Sequence, residues 1–187
     1  MQLNIYLISH PIIKLLSQTI INNQANEAIM TNSYKQIGLF LTYETTRKWI
    51  KIHNIYLKKF NKIQQMTLLD PNRKYYIFTK LSNTYKMLVD IQLFLPNMTI
   101  IDTVYENNIV LKNKKINHLF DKTSKEIKII IFDNILQESY AIQLIKYLNQ
   151  YINTKDIYIT CISCYEKTLH IIGQSYPELQ IYTTKII

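Results

Sequence analysis

Apolar positions along the chain follow two periods that take turns. Short runs rich in β-branched and aromatic residues, the mark of strands, alternate with stretches whose apolar residues recur at i, i+3, i+4 and i+7, the mark of one helix face. Met1 to Ile8 reads as a first strand. A short helix is expected from Leu15 through Ile20, after His10-Pro11, and a longer one from about Ser33 to Ile50, which places Tyr34, Ile37 and Leu41 on one face. Tyr75-Tyr76-Ile77-Phe78 then forms a strand followed by a helix from about Tyr85 to Leu95, a βα unit. Met98 to Tyr105 and Ile109 to Leu111 read as strands. Ile127-Lys128-Ile129-Ile130-Ile131-Phe132 is nearly continuous in apolar residues, the pattern of a strand buried on both faces, and is expected at the centre of a sheet. Ala141, Leu144, Ile145 and Leu148 form a helical stripe, followed by a strand at Asp156 to Cys161, a helix at Glu166 to Gly173 and a last strand at Leu179 to Thr183.

Strands alternating with helices in this way predict an α/β fold with a mostly parallel sheet and helices on both faces. No linker or repeat divides the 187 residues, so one domain over 1–187 is expected. The ligand site of such a sheet lies at the carboxyl ends of its strands, beside a topological switch point. That directs attention to Asp133 through Ala141, which follows the most apolar strand and leads into a helix.

Composition narrows the chemistry. Glycine occurs only twice, at Gly38 and Gly173, so no loop can use neighbouring glycines to aim backbone N–H groups at a phosphate. A P-loop and a dinucleotide fingerprint are thereby excluded. Segment Asn134 to Tyr140 contains no glycine, and Glu138 would repel a phosphate at the start of the following helix. Ile, Asn, Lys and Tyr, which have A/T-rich codons, are abundant, while Gly and Ala are scarce. That skew points to an A/T-biased genome such as a plastid's, and hence to the chloroplast stroma, with the cytoplasm as the alternative.

The net charge of +9 favours acidic partners in principle, but the lysines are spread along the chain (Lys48, Lys51, Lys58, Lys59, Lys62, then Lys112, Lys114, Lys115). A solvated surface accounts for them better than a nucleic-acid face. The lysine- and asparagine-rich stretches near Lys58 to Lys62 and Asn107 to Asn117 read as exposed hairpins or loops. No apolar run is long enough to span a membrane. Cys161-Ile162-Ser163-Cys164 has the C-x-x-C spacing of a redox or half-zinc motif, but it ends a strand, has no second pair and reads as buried strand cysteines. His10, His53 and His118 have no catalytic partner at a telling spacing, and no triad, metal set or cofactor motif is evident.

Four stretches taken together resemble the uracil phosphoribosyltransferase family. His10-Pro11-Ile12-Ile13 is similar to its H-P-L-[IV], and Gly38 through Arg47 to its G-x-L-[LM]-[AT]-Y-E-x-[TA]-R helix. Ile130 through Leu136 is similar to the strand and loop V-[IV]-[VL]-D-P-M-L, and Tyr176 through Thr183 to H-P-[DE]-[VL]-x-[IV]-Y-T. The resemblance implies a phosphoribosyltransferase-like (type I) fold. It also implies a pyrimidine-salvage ancestry in which uracil and 5-phosphoribosyl diphosphate give UMP and diphosphate with Mg²⁺ assisting. Asp133 falls on the family's ribose-hydroxyl carboxylate and is the one ligand-binding residue carried over; no catalytic and no metal-binding residue is.

Departures from the family fall on its anion-binding loops. After D-P-M-L the family continues A-T-G-G-S, against Gln137-Glu138-Ser139-Tyr140 here, one residue shorter and without either glycine. Its I-L-R-A-G loop corresponds to Lys80-Leu81-Ser82-Asn83-Thr84, with Ser82 in place of the arginine. The family's C-terminal uracil-binding segment has no counterpart before Ile187. An inactive or nearly inactive homologue is therefore expected, with substrate binding doubtful. The alternatives are a noncatalytic subunit paired with itself or with an intact paralogue, and a basic nucleic-acid-binding protein. Tyr43, Glu44 and Arg47 are expected to form a structural network on their helix.

Overall fold

The apolar runs of the sequence become two buried layers, one on each side of a single sheet. This computed structural model describes residues 3–22, 25–103, 120 and 126–187. Its elements are β1 (Asn4–Leu7), α1 (Pro11–Asn22), α2 (Glu27–Thr46), β2 (Ile52–Lys59), β3 (Lys62–Leu69), β4 (Arg73–Thr79), α3 (Leu81–Leu88) and α4 (Ile91–Phe94). They are followed by β5 (Met98–Asp102), β6 (Glu126–Leu136), α5 (Glu138–Leu148), β7 (Ile157–Cys164), α6 (Glu166–Ser175) and β8 (Gln180–Ile186).

Six strands pair in the order β1-β8-β7-β6-β4-β5, every pair parallel. Side chains alternate across the sheet with period two. Tyr76, Phe78, Ile129, Ile131, Ile157 and Ile159 pack on the α5–α6 side against Leu144, Ile145 and Leu169. On the other side Tyr75, Ile77, Ile130, Phe132 and Tyr158 pack against Ile13, Ile37, Leu41 and Met87 of α1, α2 and α3. Each fully buried aliphatic or aromatic side chain contributes about 1.5–3 kcal/mol relative to exposure, which explains why β6, buried on both faces, occupies the interior of the sheet. The α/β architecture with helices on both faces is the one the sequence pattern predicts.

Gly38 lets α2 and α3 approach closely. A Cβ there would lie 2.1 Å from the Met87 carbonyl oxygen, a backbone atom that cannot step aside. Thr45 of α2 fastens the same helix to the sheet through a 2.8 Å hydroxyl contact with Thr160 of β7.

The strands β2 and β3 form a separate antiparallel ribbon joined at Phe60-Asn61, with Phe60 in the left-handed region at φ 44°. Its exposure matches the hairpin expected near Lys58 to Lys62. At its base His53 lies 3.2 Å from Asp70, and Arg73 donates to the Trp49 carbonyl at 2.7 Å while pairing with Asp70 and Glu126.

Several boundaries differ from expectation. The first helix begins at Pro11, whose missing N–H and fixed φ suit a first helical turn. The second begins at Glu27, where the Asn26 side chain accepts from the Ile29 N–H at 2.9 Å. The helix expected from Tyr85 to Leu95 starts at Leu81 and is broken between α3 and α4. Strand β6 continues past Asp133 to Leu136, where Ile135 and Leu136 pair with Ser163 and Cys164 of a correspondingly longer β7. The strand Ile109 to Leu111, the loop Asn107 to Asn117, His118 and Lys112, Lys114 and Lys115 lie outside the described residues.

Candidate functional site

Chain order and sheet order diverge at β4. The connection from β4 leads to β5 on one side, and the chain then returns to β6 on the other, which makes the gap between the carboxyl ends of β4 and β6 a topological switch point. Asp102 of β5, Thr79 of β4 and Phe132 of β6 form the last paired row. Thr103, Lys80 and Asp133 follow immediately. The structure thus places the sequence-singled Asp133 at the mouth of the crevice the fold itself marks.

Polar groups in this row are held by one another. The Thr79 hydroxyl donates to the Phe132 carbonyl at 2.7 Å and meets the Thr84 hydroxyl at 2.6 Å, and Thr84 also reaches the Lys80 carbonyl at 3.0 Å. The Thr103 hydroxyl meets the Thr79 carbonyl at 2.9 Å and the Tyr140 hydroxyl at 2.7 Å. The ammonium of Lys80 donates to Gln137 Oε1 at 3.2 Å and sits 4.3 Å above the Tyr140 ring. Asn134 donates to the Tyr34 hydroxyl at 3.5 Å, joining the end of β6 to α2.

Asp133 is 3% exposed, and one of its oxygens accepts from the Asn134 N–H at 2.8 Å. Burial pushes its carboxyl up to about 6, against the Asn134 N–H and the Lys80 charge, which pull it down. A buried, perturbed carboxylate at a switch point is a binding-site candidate on physical grounds. Burial likewise raises the Tyr140 hydroxyl, opposed by its bond with Thr103.

Two of the connections that border the crevice are short. Lys80 alone joins β4 to α3, and Gln137 alone joins β6 to α5. Each helix start already has a carboxylate: Asp102 Oδ1 accepts from the Leu81 N–H at 2.9 Å, and Glu138 is the first residue of α5. A helix N-terminus attracts anions through free N–H groups and the dipole; here Asp102 already takes the Leu81 N–H, and Glu138 puts a negative charge in the first turn of α5. Among the described residues no group of three or more His, Cys, Asp or Glu side chains could hold a metal ion. One buried carboxylate beside a lysine does not fit a resident divalent cation.

Elsewhere, Cys161 and Cys164 are free and buried in β7, as expected of strand cysteines. His10 accepts from the Ile12 N–H at 3.3 Å and caps α1, and His53 has the Asp70 partner that linear spacing concealed. Arg47 and Glu44 form the anticipated ion pair at 3.6 Å, whereas half-exposed Tyr43 faces the surface. The sequence reading left out Thr79, Thr103 and Tyr140. The polar residues ending the strands β4 and β5 were the available signal for the first two.

No family model matches the chain. It is 29% identical over 190 residues to the "Uracil phosphoribosyltransferase homolog" of Pyropia yezoensis, covering 100% of this chain and 89% of that relative. To the protein of the same name from Porphyra purpurea it is 27% identical over 187 residues, with the same coverage. Its fold is similar to that of the AQ2163 protein from Aquifex aeolicus, with a TM-score of 0.72 over 97% of this chain and 86% of that one, at 16% sequence identity. The full-length likeness to the two named homologues supports the family resemblance carried by the four sequence stretches.

Proposed function

We propose that this chain is a uracil phosphoribosyltransferase homologue that keeps the fold and the switch-point carboxylate of a pyrimidine-salvage transferase but has little or no catalytic activity. The observation that carries this reading is that two connections bordering the crevice are one residue long, Lys80 after β4 and Gln137 after β6. Transfer from 5-phosphoribosyl diphosphate depends on positioning the reactants and on donors aimed at phosphate charge. A one-residue connection offers no row of N–H groups for that purpose, and Asp102 and Glu138 put negative charge at both helix starts. Loss of a single such donor costs about 10²–10³ in rate.

Asp133 is taken as the ribose-hydroxyl ligand, because a carboxylate accepts two hydroxyl protons and this one follows directly on the last row shared by β4 and β6. The whole described chain acts as one phosphoribosyltransferase-like domain. A noncatalytic subunit role, with a second copy or an intact paralogue as partner, is favoured by the uncovered β2–β3 ribbon. The A/T-codon skew and the two algal relatives favour a plastid location.

The test is UMP formation from uracil, 5-phosphoribosyl diphosphate and Mg²⁺ by the purified chain, with Asp133→Ala as control. No product above that control is expected. Turnover that Asp133→Ala abolishes would overturn the reading.

A further inference from the structure

The edge of the sheet at β1 is open. Among the described residues β1 pairs with β8 alone, so it ends the sheet on that side. The Ile8 N–H donates to the Thr183 carbonyl at 2.9 Å. Because the main-chain groups of successive strand residues point opposite ways, Tyr6 and Ile8 turn theirs to β8 while Ile5 and Leu7 turn theirs outward. Such an edge is a template for another strand, and natural sheets usually block it with lysine, proline or an inward-pointing charge. Asn4 to Ser9 carries no charged residue and no proline.

A groove of about 430 Å³ follows this edge. One wall is the unbroken segment Ile5 to His10, and the other is Glu44, Arg47 and Lys48 at the carboxyl end of α2. Side chains of successive strand residues point to opposite faces, so a run of consecutive residues lines one groove only where the groove runs along the strand's edge. The far wall is positive on balance. Glu44 is paired with Arg47 at 3.6 Å, and Arg47 remains exposed. The Lys48 ammonium sits 4.3 Å above the ring of Tyr6, which itself stacks on Tyr182 at 4.7 Å. No carboxylate among the described residues pairs with Lys48.

We propose that this edge is a docking site for an extended acidic peptide segment of a partner protein, which adds to β1 as a further strand and sets a carboxylate beside Lys48 and Arg47. Main-chain bonds to Ile5 and Leu7 supply the attachment, and side chains at alternate positions supply the selectivity, as in other strand additions. Acidic side chains take the face toward α2. Apolar ones take the opposite face, beside exposed Ile5 and Leu7. A second copy of this chain is the poorer occupant, since two β1 edges paired about a twofold axis would bring Lys48 and Arg47 of both chains to one seam. Nucleic acid is poorer still, having no peptide groups to match the strand. The site is separate from the crevice between β4 and β6 and does not depend on whether that crevice binds a ligand.

Fluorescence anisotropy of a labelled octapeptide alternating glutamate and valine, titrated with the full chain, tests this. A dissociation constant of about 10–100 µM is expected, with binding about tenfold or more weaker when lysine replaces glutamate in the peptide. Lys48→Glu should weaken binding of the acidic peptide by about tenfold or more, whereas Lys167→Glu, the same charge change at an exposed position of α6, leaves it unchanged. Leu7→Pro removes one outward N–H while sparing the bonds to β8, a substitution that strand edges tolerate, and it should cost about as much as Lys48→Glu with circular dichroism unaltered. A further test leaves the protein untouched: methylating the peptide nitrogens at one set of alternate residues should abolish binding, and at the other set should not. No saturable binding up to about 1 mM, equal binding of the lysine peptide, indifference to Lys48→Glu, or the same result from both methylated sets would each overturn the proposal. So would a sedimenting dimer of the unaltered chain that Leu7→Pro dissolves, since the edge would then serve a second copy.

Discussion

The switch-point crevice and the β2–β3 ribbon are opposites in how their polar and apolar groups are satisfied. In the crevice, Thr79, Thr84, Thr103 and Tyr140 bond to one another and to strand-end carbonyls, and Lys80 is engaged by Gln137 and Tyr140. On the ribbon, apolar residues face water along the whole length. A ligand site has polar groups waiting for a ligand, and an interaction surface has apolar area waiting for a partner. By that criterion the apolar area left uncovered among the described residues lies on the ribbon, while the described polar groups of the crevice are largely engaged with one another.

Substitutions separate the two regions by size and sign. Gly38→Ala strikes the scaffold beneath the crevice and should have the largest effect, about 3 kcal/mol or more of destabilisation, because a Cβ meets the Met87 carbonyl at 2.1 Å; urea denaturation measures it. Asp133→Asn should act in the opposite direction. With the folded pKa raised to about 6 from 3.8, the native state binds the proton more tightly than the unfolded chain. Stability of the unaltered protein therefore falls as pH rises through that window and levels off above it. Asp133→Asn should be more stable by about 3 kcal/mol at pH 8, with the advantage gone near the lower end of the window. A variant less stable at pH 8 would mean that the carboxylate is fully compensated.

Smaller effects follow. Tyr140→Phe removes the hydroxyl that meets Thr103, which still has the Thr79 carbonyl, so about 1 kcal/mol is expected. At the other extreme, Lys59→Ala should change the thermal stability of dilute protein by less than about 0.5 kcal/mol, as is usual for exposed side chains. A large loss there would show the ribbon to be part of the fold's own stability.

The sequence was most legible where burial imposed a period. Strands β4, β6 and β7 and the α5 stripe at Ala141, Leu144, Ile145 and Leu148 were marked because each side chain there has one buried destination. Strands β2 and β3 left no such trace beyond their exposed lysines, since neither face is buried and nothing forces alternation. The extension of β6 through Leu136 was hidden because a family loop was expected there, yet Ile135 and Leu136, without glycine or proline beside them, simply continue the ladder with β7. Of the crevice, Asp133 was legible from its place after the most apolar strand. Its neighbours Thr103 and Tyr140 come from β5 and α5, and their bond is created by folding alone. The His53–Asp70 contact has the same origin, the pairing of two strands that carried no signal.

The most direct measurement is calorimetric titration of the full chain with 5-phosphoribosyl diphosphate in the presence of Mg²⁺. With one-residue connections after both β4 and β6, no saturable heat is expected up to about 1 mM ligand. Saturable binding in the micromolar range would contradict the central claim, because it would mean that other residues supply the phosphate donors that Lys80 and Gln137 do not.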